Sequence, residues 1–86
     1  MTSSDAPIAW LALDEGTPIL ASDGEEVGRV ATVVADEQKD IFSGVTFRPG
    51  LFEGQRFVPA SAIDRLTEGA VHLNITAAQT ETLEAY

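Results

Sequence analysis

Cysteine is absent from this chain of 86 residues. That absence excludes disulfides, thiolate catalysis and cysteine-ligated zinc in one step, and it fits a reducing compartment. Basic residues are scarce, five against 14 acids, for a formal net charge of −9. Such a surface repels nucleic-acid phosphates and anionic membranes. The arginines (Arg29, Arg48, Arg56 and Arg65) are scattered rather than clustered into the footprint that nucleic-acid binding requires. Neither a nucleic-acid nor a membrane partner is therefore expected. A basic protein surface or a cation is the natural electrostatic counterpart, although the same charge also serves simply to keep a small protein soluble. Long apolar runs are missing as well. Near the start of the chain the apolar run extends only from Ile8 to Leu13, with no basic segment before it. It reads as neither a signal peptide nor a membrane span, which gives the expectation of a soluble cytoplasmic protein.

Catalytic constellations are equally thin. His72 is the single histidine, and no G-x-S-x-G elbow occurs. Acid–base chemistry would place a nucleophile or carboxylate beside that histidine, and nothing in the sequence selects one. The expectation is a protein that is not an enzyme and needs no cofactor and no metal.

What is present is a regular alternation of short apolar runs and turn residues. The runs are 18–21, 26–35, 41–48, 55–59, 63–67 and 70–75, separated by "SDGE", "DEQKD", "PGLFEG", "PASA" and "EG". Runs of this length rich in Val, Ile, Phe and Thr predict about six strands. In "AVHLNI", Val71, Leu73 and Ile75 share one face and His72 and Asn74 the other. In "IFSGVTFRP", Ile41, Val45 and Phe47 alternate with Phe42, Thr46 and Arg48. The second strand changes phase between Val27 and Val30. Gly28 sits at the change, where a strand glycine marks a bulge or bend. At the other end, Thr76 and Gln79 have capping-box spacing, and "TAAQTETLEAY" predicts a short helix that places Leu83 against the body. Strands with no long amphipathic helix to cover them are expected to bend into a small barrel. Residues 1–13 form an arm and lead-in whose Trp10 is expected to pack on the body, and residues 14–86 form the one domain.

Two loops invite a chemical reading. "SDGEEVGRV" lacks the alternating ligands of an EF-hand and the Lys-Ser/Thr of a phosphate loop. Asp23-Gly24 between two apolar runs is instead a hairpin signal. "ADEQKD" reads as a second polar turn. The more suggestive segment is "RPGLFEGQRF". Pro49-Gly50 and Gly54 put Leu51 and Phe52 near a loop tip, where they either cap the domain or contact a partner. Arg48 and Arg56 flank that tip.

Taken in order, "GTPILASDGEEVGRVATVVAD", "IFSGVTFRPG", "RFVPASAIDRL" and "GAVHLNIT" resemble the PRC-barrel family over about residues 14–80. The resemblance rests on Gly16, Pro18, Asp23-Gly24, Gly28, Val30 and "VPAS". It implies a small, strongly bent all-β barrel of about six strands with a short C-terminal helix, like the short stand-alone members of that family. It also implies an interaction module rather than an enzyme. The expected function is thus a non-catalytic intracellular protein-interaction module. The expected partner is a protein, for which a basic surface suits the charge, or a second copy of the chain. Leu51, Phe52, Arg48, Arg56 and Trp10 are the candidate contacts. The alternative is a barrel that binds a small ligand or divalent cation through its acidic turns.

Overall fold

The computed structural model describes residues 9–36, 38–49 and 54–86. Six strands form one mixed sheet: β1 (Pro18–Leu20), β2 (Glu26–Asp36), β3 (Ile41–Arg48), β4 (Arg56–Pro59), β5 (Ile63–Leu66) and β6 (Val71–Leu73). A single α-helical turn, α1 (Ala77–Thr80), follows. One 3-10 turn covers Trp10–Ala12 and another, Ala60–Ala62, joins β4 to β5. The protein is mainly β, with the strand number and the short C-terminal helix that the turn punctuation predicts.

The strand order is β4-β3-β2-β1-β6-β5. All neighbours are antiparallel except β1 and β6, which run parallel through Ile19–Val71 and Leu20–His72. The sheet is not closed into a barrel, which corrects the barrel expectation: β4 and β5 are its two edges. In a flat sheet those edges would lie roughly 24 Å apart, five strand spacings. Yet from Pro59 to Ile63 the chain can span no more than about 14 Å. The sheet must therefore curl. The Ala60–Ala62 turn bridges its edges where a barrel would carry a ladder of hydrogen bonds.

The first hairpin explains the Asp-Gly signal. Gly24 N–H donates to Ala21 O at 2.9 Å and Ala21 N–H to Glu25 O at 2.9 Å, with Gly24 at φ +87°. This is the three-residue hairpin loop that ends on a left-handed glycine. Asp23 keeps negative φ and its Oδ1 accepts from Glu25 N–H at 3.3 Å. Beyond the turn, Ile19 faces Gly28 while Leu20 faces Glu26, which leaves Val27 as an extra residue. The phase change thus falls one residue before Gly28, with a second irregularity between Val30 and Thr32. Together they bring Val27, Val30 and Val33 to the core side.

The core holds Leu13, Ile19, Val30, Val45, Phe47, Val58, Ala62, Val71 and Leu73. Fully burying each large aliphatic or aromatic side chain contributes about 1.5–3 kcal/mol. β6 alternates as its sequence predicts, with Ile75 also packed against the core. β3 departs from strict alternation. Val34 faces Gly44 but Ala35 faces Phe42, leaving Ser43 as the extra residue. That irregularity turns Phe42 onto the core beside Val45 and Phe47, while Ile41 is half-exposed. At the other end, the capping box forms as predicted. Gln79 N–H donates to Thr76 Oγ1 at 3.2 Å, and Thr76 N–H donates to Gln79 Oε1 at 2.8 Å. Leu83 packs against the core.

Candidate protein-interaction surface

The β2–β3 hairpin outruns its neighbours. β1 pairs with β2 only over Glu26–Arg29, and β4 pairs with β3 only over Gly44–Phe47. Among the described residues, Thr32–Asp36 and Ile41–Ser43 therefore have a strand on one side only. Exposed strand edges with unpaired backbone groups are templates for association. The hairpin closes through Asp36, whose Oδ1 accepts from the N–H groups of Gln38 and Lys39 at 3.1 and 3.3 Å.

The 3-10 turn at Trp10–Ala12 lies against this extension. Leu13, buried at its end, fixes it to the core, and Leu13 N–H donates to Trp10 O at 3.1 Å. The Trp10 ring stacks on Phe42, with centroids 5.8 Å apart and planes 11° from parallel. Leu11 beside it is 63% exposed and Ile41 is 51% exposed. A groove of about 530 Å³ runs between Trp10, Leu11, Leu13, Val33 and Ala35, with Asp36 and Gln38 on its border. Asp14 and Glu15 line the adjoining depression next to Leu13 and Val33. The result is an apolar strip anchored by a stacked tryptophan and rimmed by carboxylates.

The other residues singled out from sequence do not gather there. Trp10 sits at the Phe42 end of β3, and Arg48 is at the opposite end, about 20 Å away along the strand. Arg48 faces Arg29 across the β2–β3 ladder, and Arg29 Nε lies 3.8 Å from Glu26 Oε2. Arg56 is turned inward on its own chain: its Nη1 donates to Glu81 O at 2.9 Å and to Leu83 O at 3.2 Å. Leu51 and Phe52 lie outside the described residues. Leu11 is not singled out by the sequence; the bulge at Ser43 brings Phe42 to Trp10 and leaves Ile41 on the opposite face of the strand.

Chemistry elsewhere is sparse. His72 Nε2 lies 3.3 Å from Thr67 Oγ1, a spacing that would suit a nucleophile and its base. Thr67 is only 2% exposed, however, and its hydroxyl donates to Ala70 O at 3.1 Å and accepts from Ala70 N–H at 3.2 Å. The contact therefore ties the β5–β6 turn. Asp23, Glu25, Glu26 and Glu81 border a groove of about 760 Å³. Among the described residues, no three His, Cys, Asp or Glu side chains converge as a metal site would need. Nor is any helix among them long and apolar enough to cross a membrane.

Fold and surface together define a bent, open six-stranded β-domain that carries an apolar strip beside Trp10. Residues 13–81 match the family described as an uncharacterised protein conserved in bacteria, DUF2171, and the chain belongs to that family. No curated protein matches the chain. The match replaces the PRC-barrel resemblance, for which there is no corresponding family match. The residues behind that resemblance have generic work in this sheet. Gly24 closes a hairpin, Gly28 lies beside a bulge, and "VPAS" runs from β4 into a 3-10 turn. Any strongly bent antiparallel sheet needs such signals, so they specify curvature rather than kinship.

Proposed function

We propose that this protein is a non-catalytic protein-interaction module that acts in the cytoplasm and docks a basic segment of a partner protein on the strip formed by Trp10, Leu11, Leu13, Val33 and Ala35. The observation that carries this reading is the Trp10–Phe42 stack with exposed Leu11 beside Trp10 on the same groove. Tryptophan is enriched among the residues that dominate binding energy, and an anchored ring offers contact area with little entropy left to lose. The flanking Asp14, Glu15 and Asp36, on a chain of net charge −9, favour a basic partner over an acidic one. The buried, committed Thr67 hydroxyl beside His72 supports the non-catalytic reading.

A second reading is favoured by the free β2 edge: two copies pairing that edge antiparallel about a two-fold axis. Salt separates the two readings. Binding of a basic partner weakens as ionic strength rises, whereas association of two strongly acidic copies strengthens. The test compares immobilised wild-type protein with a Leu11→Ser variant, alongside sedimentation at low and high salt. A partner retained by the wild type, lost with the variant and eluted by salt is the expected result. Retention of the same partners by a folded variant would remove the strip as the contact.

A further inference from the structure

β4 is an edge strand, yet its outer side is occupied. Phe57 N–H donates to Glu84 O at 2.9 Å, and Tyr86 N–H donates to Gln55 O at 2.9 Å. These bonds flank the antiparallel bridge between Arg56 and Ala85, the pattern of an antiparallel ladder one pair long. The Tyr86 ring stacks on Phe57 with centroids 5.9 Å apart and planes 26° from parallel. Residues 84–86 therefore act as a seventh, minimal strand.

The segment is held lightly. Glu84, Ala85 and Tyr86 are all exposed, Tyr86 to 68%. The firm anchorage ends just before them. Leu83 packs on the core, and the carbonyls of Glu81 and Leu83 accept from Arg56 Nη1. The chain can thus peel away from Glu84 onward without unseating α1. Once it leaves, Phe57 N–H and Gln55 C=O are offered outward beside a bare aromatic face, the requirements for strand addition.

We infer that the β4 edge is a strand-binding site masked by residues 84–86, and that it accepts an extended segment of a partner protein. The masking segment shows the chemistry the site selects. The incoming strand runs antiparallel to β4, with a small residue opposite Arg56 and an aromatic ring over Phe57. This site rests on contacts separate from the Trp10 strip, so either can fail alone.

The test uses the chain of 86 residues carrying Tyr86→Pro, which removes both the N–H donor and the ring. The probe is a synthetic peptide of residues 82–86, followed by backbone NMR. The variant binds the peptide saturably, with shifts centred on Gln55–Phe57 and an affinity on the order of tenfold above wild type, since a masked site binds in proportion to its open fraction. Hydrogen exchange on wild-type protein gives a second measurement that needs no variant. The Phe57 amide exchanges through local opening, far faster than that of Val45 in the core. A folded variant showing no shifts at 55–57 overturns the inference. So does a peptide that shifts Trp10 and Leu11 instead, or a Phe57 amide that exchanges only on global unfolding.

Discussion

Gly28 lies directly under the Phe47 ring: a Cβ built on it would sit 2.6 Å from Phe47 Cδ2 and 2.7 Å from Arg48 O. One of those atoms is backbone and cannot swing aside. Gly28→Val is therefore expected to force β2 and β3 apart and to lower stability by about 1–3 kcal/mol or more. Urea unfolding followed by circular dichroism reads the loss. A variant of wild-type stability that instead loses affinity for a divalent cation would mean that the acidic turn is a site rather than an architectural element.

Thr46 presents the opposite case. It is fully buried, and its Oγ1 has no hydrogen-bond partner. A buried unsatisfied hydroxyl costs about 1–3 kcal/mol. Thr46→Val keeps the β-branched shape and removes the orphan oxygen, so it should raise stability by about 1 kcal/mol. For a domain of this size that corresponds to a Tm increase of roughly 4–8 °C. A lower Tm would show that the hydroxyl has a partner in solution, such as a bound water.

At the start of α1, Thr76→Ala removes the acceptor of the capping box. The expected loss is about 1 kcal/mol. Because the helix is a single turn, amide exchange should quicken at Gln79 and Thr80, while Val45 and Val71 change only by the global difference.

Trp10 is the single tryptophan, so fluorescence reports on its stack with Phe42 alone. Phe42→Ala should red-shift its emission as the ring gains water. The loss of the aromatic pair itself is about 1 kcal/mol. Unchanged emission would show that the core below, rather than Phe42, holds the indole.

Much of this fold is legible in single residues. The Gly24 turn, the Thr76–Gln79 box, the Val71/Leu73 face and the strand count all follow from local stereochemistry, which a short window of sequence contains. The bulges were half legible. Gly28 betrayed the first through the Val27/Val30 phase change. The one at Ser43 left no such mark, and strict alternation put Phe42 on the wrong face. The candidate surface was less visible still. Trp10 is singled out, but the groove it lines with Leu11, Val33 and Ala35 is not, because the short reach of β1 leaves that part of β2 open only in the folded sheet. The bonds from Arg56 to the backbone of its own chain are not legible either. Nothing local announces that the backbone at Glu81 and Leu83 will come within its reach.

The sequence by itself determined a small acidic β-rich chain, where it turns, and the core face of a regular strand such as β6, since these depend on propensities and periods of a few residues. Tertiary structure decided that the sheet stays open, with β1 beside β6 in parallel and residues 84–86 along β4. Those pairings join residues up to about fifty positions apart. Their formation depends on how the whole sheet curls around Phe47 and Ile19, which no local pattern encodes.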